Sequence, residues 1–383
     1  MKTIKDYELA SKKVLLRVDF NSPIVEGKIE LNDRFMAHVE TIKKLVEQKA
    51  RVTVMAHQGR PGDDDFTSLE QHAELLNKQV KARFIKDVIG DKAVKAIKSL
   101  KDGEVLLLDN VRSLKQEFKP STSNKMVKTL APLFDLYVND AFSVSHRSQT
   151  SVVSFPKVMP SCAGPVMERE VNAIRKIHEF KEPSVFVLGG EKPEDSKVVI
   201  KELGDKVTRI LTCGIFGQFC LLSKGFNFGA QNKYITEELG YSKDKELAKL
   251  LDDNIKTPVD FGVKAKNERK DLLLSDFPVN YEIFDIGPET IERYCKIIKK
   301  ASSIFMKGTP GYSEDEKFAL GTKKILKTIA DSDSFSVIGG GHTRAAIDRF
   351  GISEEKFSHL SLSGGALMKF IAGKELPGVE VLK

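Results

Sequence analysis

Two doubly wound α/β domains with mostly parallel sheets, joined by a helix, are the architecture this sequence predicts. Three observations carry that expectation. Short β-branched and leucine runs alternate with longer amphipathic stretches along the whole chain, the pattern of repeated βα units. At 383 residues the chain exceeds one typical core and suits two domains, each large enough to be stable alone. No heptad, low-complexity tract or short internal repeat competes with this reading.

In the first half, KKVLLRVDFN, RVTVMAHQGRP, EVLLLDNVR and LYVNDAFSVSHR each end a strand-like run and then deliver an arginine or histidine. Ligands of open α/β sheets bind outside the carboxyl ends of the strands, so these groups should converge on one crevice suited to a small, multiply charged acid. RVDFN sets Arg17, Asp19 and Asn21 on alternating positions, able to face one side together, although alternation is also the ordinary mark of a half-exposed strand. Arg34 follows a helix start capped by Asn32 or Asp33, where an arginine more often covers surface. HQGRP places His57 and Arg60 beside a glycine and a proline, and Arg112 and Arg147 follow their strands in the same manner, with His146 as a further donor. Four strand ends repeating one pattern favour an anion site over four separate surface cations.

MEREVNAIRKIHEF, residues 167–180, brings Val171, Ile174 and Ile177 to one helical face before Pro183, and predicts the connection between the halves. Beyond it, SVFVLGG, RILTCG, SIFMKGTPG and SFSVIGGG all end in glycine, which allows close backbone approach to phosphates and to the flat face of a base. One cationic and one glycine-rich domain imply transfer between two bound anions, and a phosphotransferase is the natural class. GGEKPEDSK, residues 189–197, opens a helix but matches neither common phosphate-loop pattern. Lys192 would act there as a movable point charge and Ser196 as a hydroxyl donor; the plainer alternative is a solvated helix start. VIGGGHTRAA, residues 337–346, runs from a strand through three glycines into a helix start and invites a phosphate, yet it carries His342 where a magnesium-handling site would favour oxygen.

A formal charge of +7 comes with 54 acidic residues, a bias toward small anions rather than the concentrated basic surface of a nucleic-acid binder. Cys162, Cys213, Cys220 and Cys295 are scattered and suggest neither zinc nor disulfides. A charged N-terminus without an apolar core, and the lack of any ~20-residue apolar run, predict a cytoplasmic protein without membrane partners. No H-R-D, G-x-S-x-G or H-E-x-x-H motif supplies a catalytic base. A carboxylate acceptor, already ionised at neutral pH, needs none.

Taken in order, RVDFN, HQGRP, VNDAFSVSHR, PVDF, DIGPET, GGGHT and ELPGVEVL resemble phosphoglycerate kinase over essentially the whole chain, and GGGHT resembles the archaeal branch of that family. The resemblance implies a 3-phosphoglycerate domain from 1–168 plus 366–383, an interdomain helix at 169–181 and a nucleotide domain at 182–365. It implies reversible phosphoryl transfer between 1,3-bisphosphoglycerate and ADP, giving 3-phosphoglycerate and ATP with Mg2+, in a hinge-bending monomer of glycolysis and gluconeogenesis. Asp19, Asn21, Arg34, His57, Arg60, Arg112 and Arg147 match the family's substrate contacts, with Arg17 beside them. Arg34 and Lys192 would neutralise the transferring group. Gly189, Gly190, Gly214, Glu314, Gly340, Gly341 and Thr343 match nucleotide positions, with Glu314 on the ribose.

Four departures stand out. Ser196 replaces the family's second lysine, and Lys197 lies one residue, about 100° of helix, away. Lys307 replaces an asparagine, Leu362 and Ser363 with two glycines replace a threonine and three glycines, and His342 replaces an aspartate. Lys197 or Lys307 would then restore the missing charge, and the metal would rest mainly on phosphate oxygens and water, with no protein ligand assigned. The rival readings are a kinase of another small carboxylic acid and a catalytically silent polyanion binder.

Overall fold

The computed structural model describes residues 1–179 and 181–383. Phe180, the last residue of the expected connecting segment, lies outside the described residues. The chain divides into two compact units, Met1–Asn172 with Glu375–Lys383, and Ala173–Lys374.

Unit 1 is built on a six-stranded parallel sheet in the spatial order Ala82–Ile85, Val105–Leu108, Arg51–Met55, Lys13–Arg17, Leu136–Asn139, Ser161–Ala163. Its central strands are apolar on both faces, as burial between two helical layers demands. Val14, Leu16, Val52 and Val54 face one core with Phe35, Val39 and Ile42 of helix Asp33–Glu47, while Leu15, Met55, Leu106 and Tyr137 face the other. Asn32 starts that helix by accepting the Phe35 N–H at 2.9 Å. The winding reverses between Lys13–Arg17 and Leu136–Asn139, which opens a crevice at Arg17 and Asn139.

The aspartate of VNDAF, Asp140, organises backbone at that point. One carboxylate oxygen accepts the N–H groups of Val166 and Met167 at 2.7 and 3.2 Å, and the other accepts Thr41 Oγ1 at 2.6 Å and lies 3.0 Å from His38 Nδ1. It thereby caps helix Pro165–His178, with proline tolerated in the first turn. The expected helix at 169–181 therefore starts four residues early, at the capped end, and its described part stops at His178.

The chain returns to unit 1 at Glu375 rather than at 366, because helix Gly365–Ile371 packs on helix Pro193–Leu203 inside unit 2. The glycine of ELPGVEVL then becomes intelligible. Gly378 N–H donates to Ser145 O at 2.9 Å, Asn139 Nδ2 reaches Gly378 O at 3.3 Å, and a Cβ on Gly378 would lie 2.7 Å from Val152 Cγ1.

Unit 2 has a second six-stranded parallel sheet in the order Ile255–Lys256, Arg209–Thr212, Ser184–Leu188, Ser303–Lys307, Phe335–Gly339, His359–Leu360. Numbered along the unit this is 3-2-1-4-5-6, the order of dinucleotide-binding folds, with the reversal between Ser184–Leu188 and Ser303–Lys307. A three-stranded antiparallel sheet, Glu268–Leu273, Asp260–Ala265 and Glu282–Ile286, adds an element the sequence pattern did not predict. Its hairpin turns at Lys266 and Asn267, both with positive φ, but its outer strand is so polar that the alternation hardly shows. This sheet also explains PVDF and DIGPET together. Asp260 accepts the Glu289 and Thr290 N–H groups at 2.8 Å each and Thr290 Oγ1 at 2.6 Å, capping helix Pro288–Ile298.

Gly308 sits where the winding reverses in unit 2. It has φ +83°, and a Cβ there would collide with the Gly189 backbone. Replacing Gly308 with alanine should strain the site by roughly 2 kcal/mol and lower the thermal midpoint of unit 2 by several degrees. Calorimetry showing an unchanged midpoint would remove that packing argument.

Candidate functional site

In unit 1 the residues expected to bind the substrate acid do gather at the reversal of the sheet, though not in equal roles. Asp19 is the hub. It accepts Arg34 Nη1 at 3.0 Å, the Ser143 hydroxyl and the Asn21 N–H at 3.0 Å, and lies 3.7 Å from His57 Nδ1. Burial alone would raise its carboxyl pKa, but the Arg34 charge and the Ser143 hydroxyl more than reverse this and hold it well below the usual carboxylate range. Asn21 Oδ1 accepts the Gly59 N–H at 2.8 Å and so fixes the HQGRP loop against the RVDFN loop.

Arg17, expected beside the substrate contacts, is held within the protein. It has no exposed surface. Its Nε donates to Ser151 Oγ at 2.8 Å, Ser151 Oγ in turn to Glu117 Oε1 at 2.6 Å, and Nη2 lies 3.3 Å from His57 Nδ1. Arg17 therefore sits behind His57 and orients it. The His57 imidazole is itself neutral at pH 7, since burial and then Arg17, Arg112 and Arg147 outweigh the attraction of Asp19. Its part is a hydrogen bond, not the charge the sequence suggested.

Arg112 is buried and donates through Nη1 to Gly59 O at 2.5 Å, while its Nε and Nη2 have no partner among the described residues. Burial, then Arg147 and Arg17, lower its pKa to about 10, so it stays charged. Arg147 is half-buried beside His146, and Arg60 is exposed. Arg17, Arg34, Arg112 and Arg147 thus surround two buried carboxylates, Asp19 and Glu117, and Arg112 keeps two guanidinium nitrogens without a partner among the described residues. Such a cluster, with cations in excess, suits an anion. Ser143, Ser151 and Glu117 were missed; Ser143 lies inside VNDAFSVSHR, whereas nothing in the local sequence around Glu117 marks it as the partner of a distant strand end.

In unit 2 a cavity of about 450 Å³ opens along the carboxyl ends of the strands. Gly190, Lys192, Gly214, Lys307, Glu314, Gly340, Gly341, His342 and Thr343 line it, as expected. Gly189 does not; it is packed against Cys213 and the Thr309 backbone. Ser196 does not either, being fully buried in the first turn of its helix with its hydroxyl unpartnered among the described residues. Lys197 turns away, pairing at 2.7 Å with both Asp244 and Glu246. Lys307 instead lies on the wall, its Nζ 3.8 Å from Asp195 Oδ2; burial lowers its pKa, Asp195 opposes this and Lys192 adds to it. Gly340, at φ +100°, starts helix Gly341–Arg349, and Thr343 Oγ1 accepts the Gly308 N–H at 3.1 Å, tying the glycine turn to the neighbouring strand. The wall formed by Gln218, Gln231, Glu282 and Phe284 was not foreseen, because two of its residues belong to the unpredicted sheet.

Comparisons with known proteins agree with this geometry. The family model described as phosphoglycerate kinase matches residues 4–374. The phosphoglycerate kinase of Methanopyrus kandleri is 40% identical over 393 aligned positions, covering 99% of this chain and 97% of that protein. That of Pyrococcus furiosus is 42% identical, covering 99% and 97%. The crystal structure of phosphoglycerate kinase from Pyrococcus horikoshii superposes with a TM-score of 0.91 at 38% identity, covering 100% of this chain and 98% of that one. The Coxiella burnetii enzyme does so with 0.82 at 30% identity, with the same coverage. The chain belongs to the phosphoglycerate kinase family. Its reaction is reversible phosphoryl transfer between 1,3-bisphosphoglycerate and ADP, with a carboxyl group as acceptor in the reverse direction, a step of glycolysis.

The buried imidazoles of unit 1 set a pH dependence. Burial lowers the His72 pKa to about 4 and holds His57 well below 6.5. Below pH 6.5 the unfolded chain takes up protons that the folded unit refuses, so this stability is complete above 6.5 and is lost as pH falls toward the folded values. Between pH 6.5 and 5, above the ordinary carboxylate range, unit 1 should lose about 2 kcal/mol from His72 alone. Denaturant titrations across that window check it, and His72→Gln should flatten the slope.

Proposed function

We propose that unit 1 holds 3-phosphoglycerate or 1,3-bisphosphoglycerate and unit 2 holds ATP or ADP. The observation that carries this division is the arginine cluster of unit 1 with its unpartnered Arg112 donors, set against the glycine-walled cavity of unit 2 with its two lysines. Arg34, Arg60, Arg112 and Arg147, with Asn21 and neutral His57, bind the acid; Asp19 and Arg17 position them. Arg34 and Lys192 neutralise the equatorial oxygens of the transferring group, and Lys307 takes the place of the missing second lysine. Because the acceptor is an ionised carboxylate, catalysis reduces to positioning and electrostatics in a site from which water is excluded. Glu314 serves the ribose, and the N–H groups after Gly340 serve the terminal phosphates.

A coupled assay with 3-phosphoglycerate and ATP tests the assignment. The wild-type chain should turn over. Lys307→Met should lower kcat by roughly a hundredfold, the scale of one lost transition-state donor, with ADP affinity within about threefold. Lys197→Met should change neither. Binding without turnover in the wild type would favour a polyanion-binding protein instead, and equal effects of the two lysines would reject the role of Lys307.

Magnesium fits the phosphate end in part. Asp195 offers a carboxylate on the wall and His342 a nitrogen that suits magnesium poorly; among the described residues no three His, Cys, Asp or Glu side chains form a metal cluster. The metal would rest mainly on nucleotide oxygens and water, with Asp195 as the protein carboxylate at hand and His342 facing a phosphate or a water, and would neutralise phosphate charge there. His342→Asp should then lower the magnesium concentration needed for half-maximal rate, and an unmoved magnesium curve would reject this arrangement. A cytoplasmic monomer acting on small molecules completes the proposal, in keeping with the glycolytic family; none of the described helices is long and apolar enough to cross a membrane.

A further inference from the structure

The unit 2 cavity has a fixed hydrogen-bond polarity at the end remote from its lysines. Helix Gly214–Ser223 follows strand Arg209–Thr212, three strand positions from Phe335–Gly339 and the Gly340 turn, roughly 14 Å away at ordinary strand spacing. Lys192, Lys307 and the Gly340 turn mark the phosphate end, so a nucleotide laid along the strand ends brings its base toward this helix. Gln218, on that helix, and Gln231 both line the wall and are almost fully buried.

Their amides can be oriented in one way only. The Ile283 backbone N–H donates to Gln231 Oε1 at 2.9 Å, and a backbone N–H cannot become an acceptor. Gln231 must therefore present its Nε2 to its other neighbour, and it donates to Gln218 Oε1 at 2.7 Å. This leaves Gln218 with its amide N–H2 as the group free to meet a ligand. Reversing either amide would set donor against donor inside a buried wall.

We propose that Gln218 reads the purine base as a hydrogen-bond donor to a ring nitrogen, N1 or N7 of adenine, with its polarity imposed by the relay from Ile283 through Gln231. The inference rests on unit 2 being the nucleotide unit. A site built around a donor rejects an analogue that lacks the matching acceptor. Dissociation constants for ADP, 1-deaza-ADP and 7-deaza-ADP are measured by titration calorimetry on the full chain. One of the two analogues should bind the wild type about five to ten times more weakly than ADP, the size of one neutral hydrogen bond. In Gln218→Leu that gap should close to less than twofold. Gln218→Glu, which still accepts from Gln231 and so keeps the wall intact, should close it as well. Equal binding of all three nucleotides to the wild type overturns the inference, as does a gap that survives in both variants. Failure of the wild type to bind ADP at all overturns the nucleotide reading of unit 2 itself.

Discussion

A parallel sheet wound in two directions cannot cover its own carboxyl edge where the winding reverses, and in both units the charged and glycine-rich strand ends gather at that gap. In unit 1 the reversal separates Lys13–Arg17 from Leu136–Asn139, and Asp19, His57 and the arginines collect around it. In unit 2 it separates Ser184–Leu188 from Ser303–Lys307, and the glycines after these strands form one side of a cavity. The same topological event serves opposite chemistries because the strands end in different residue types. Arginine after the strands of unit 1 supplies charge, whereas glycine after those of unit 2 removes side chains and exposes N–H groups.

Around both gaps, buried carboxylates hold backbone in place. Asp140 caps the helix that leaves unit 1, and Asp260 caps the helix after DIGPET. Asp285 accepts the Gly321 N–H and Arg269 Nη1 at 2.8 Å each, and burial still raises its pKa to about 6. These aspartates sit in or beside segments that read as family signatures, yet their oxygens are consumed by N–H and hydroxyl donors of the protein. Asp19 differs. It draws Arg34, Ser143 and Asn21 around itself and lies within reach of His57, so a carboxylate that contributes no positive charge decides where the Arg34 charge stands.

The departures in unit 2 leave a lysine on the cavity wall, though not at the usual position. A single-residue displacement rotates Lys197 off the cavity and into a pair of carboxylates, and Ser196 occupies the vacated position as a small buried group. Lys307, at the end of the adjacent strand, reaches the same wall from the other side of the reversal. The parallel pairing of Ser303–Lys307 with Ser184–Leu188 is what makes such an exchange geometrically available.

The alternation of apolar runs with amphipathic stretches determined two doubly wound α/β units, because burial on both faces leaves a strand little choice but a continuous apolar run. The chemistry of strand ends, arginine in one half and glycine in the other, was legible for the same reason: it is local. The tertiary structure alone decided matters of direction and partnership. Arg17 lies on the alternating pattern of RVDFN yet is sealed behind His57, since the packing of Ser151 and Glu117, about a hundred residues or more away, fixes where its guanidinium points. His57 reads as a cation and is neutral, because its charge state depends on three arginines and on burial that one sequence segment cannot display. The antiparallel sheet of residues 260–286, and with it the Glu282 and Phe284 side of the cavity wall, escaped notice because its polar outer strand is held by pairing with its neighbour, and pairing leaves no periodicity in a single strand.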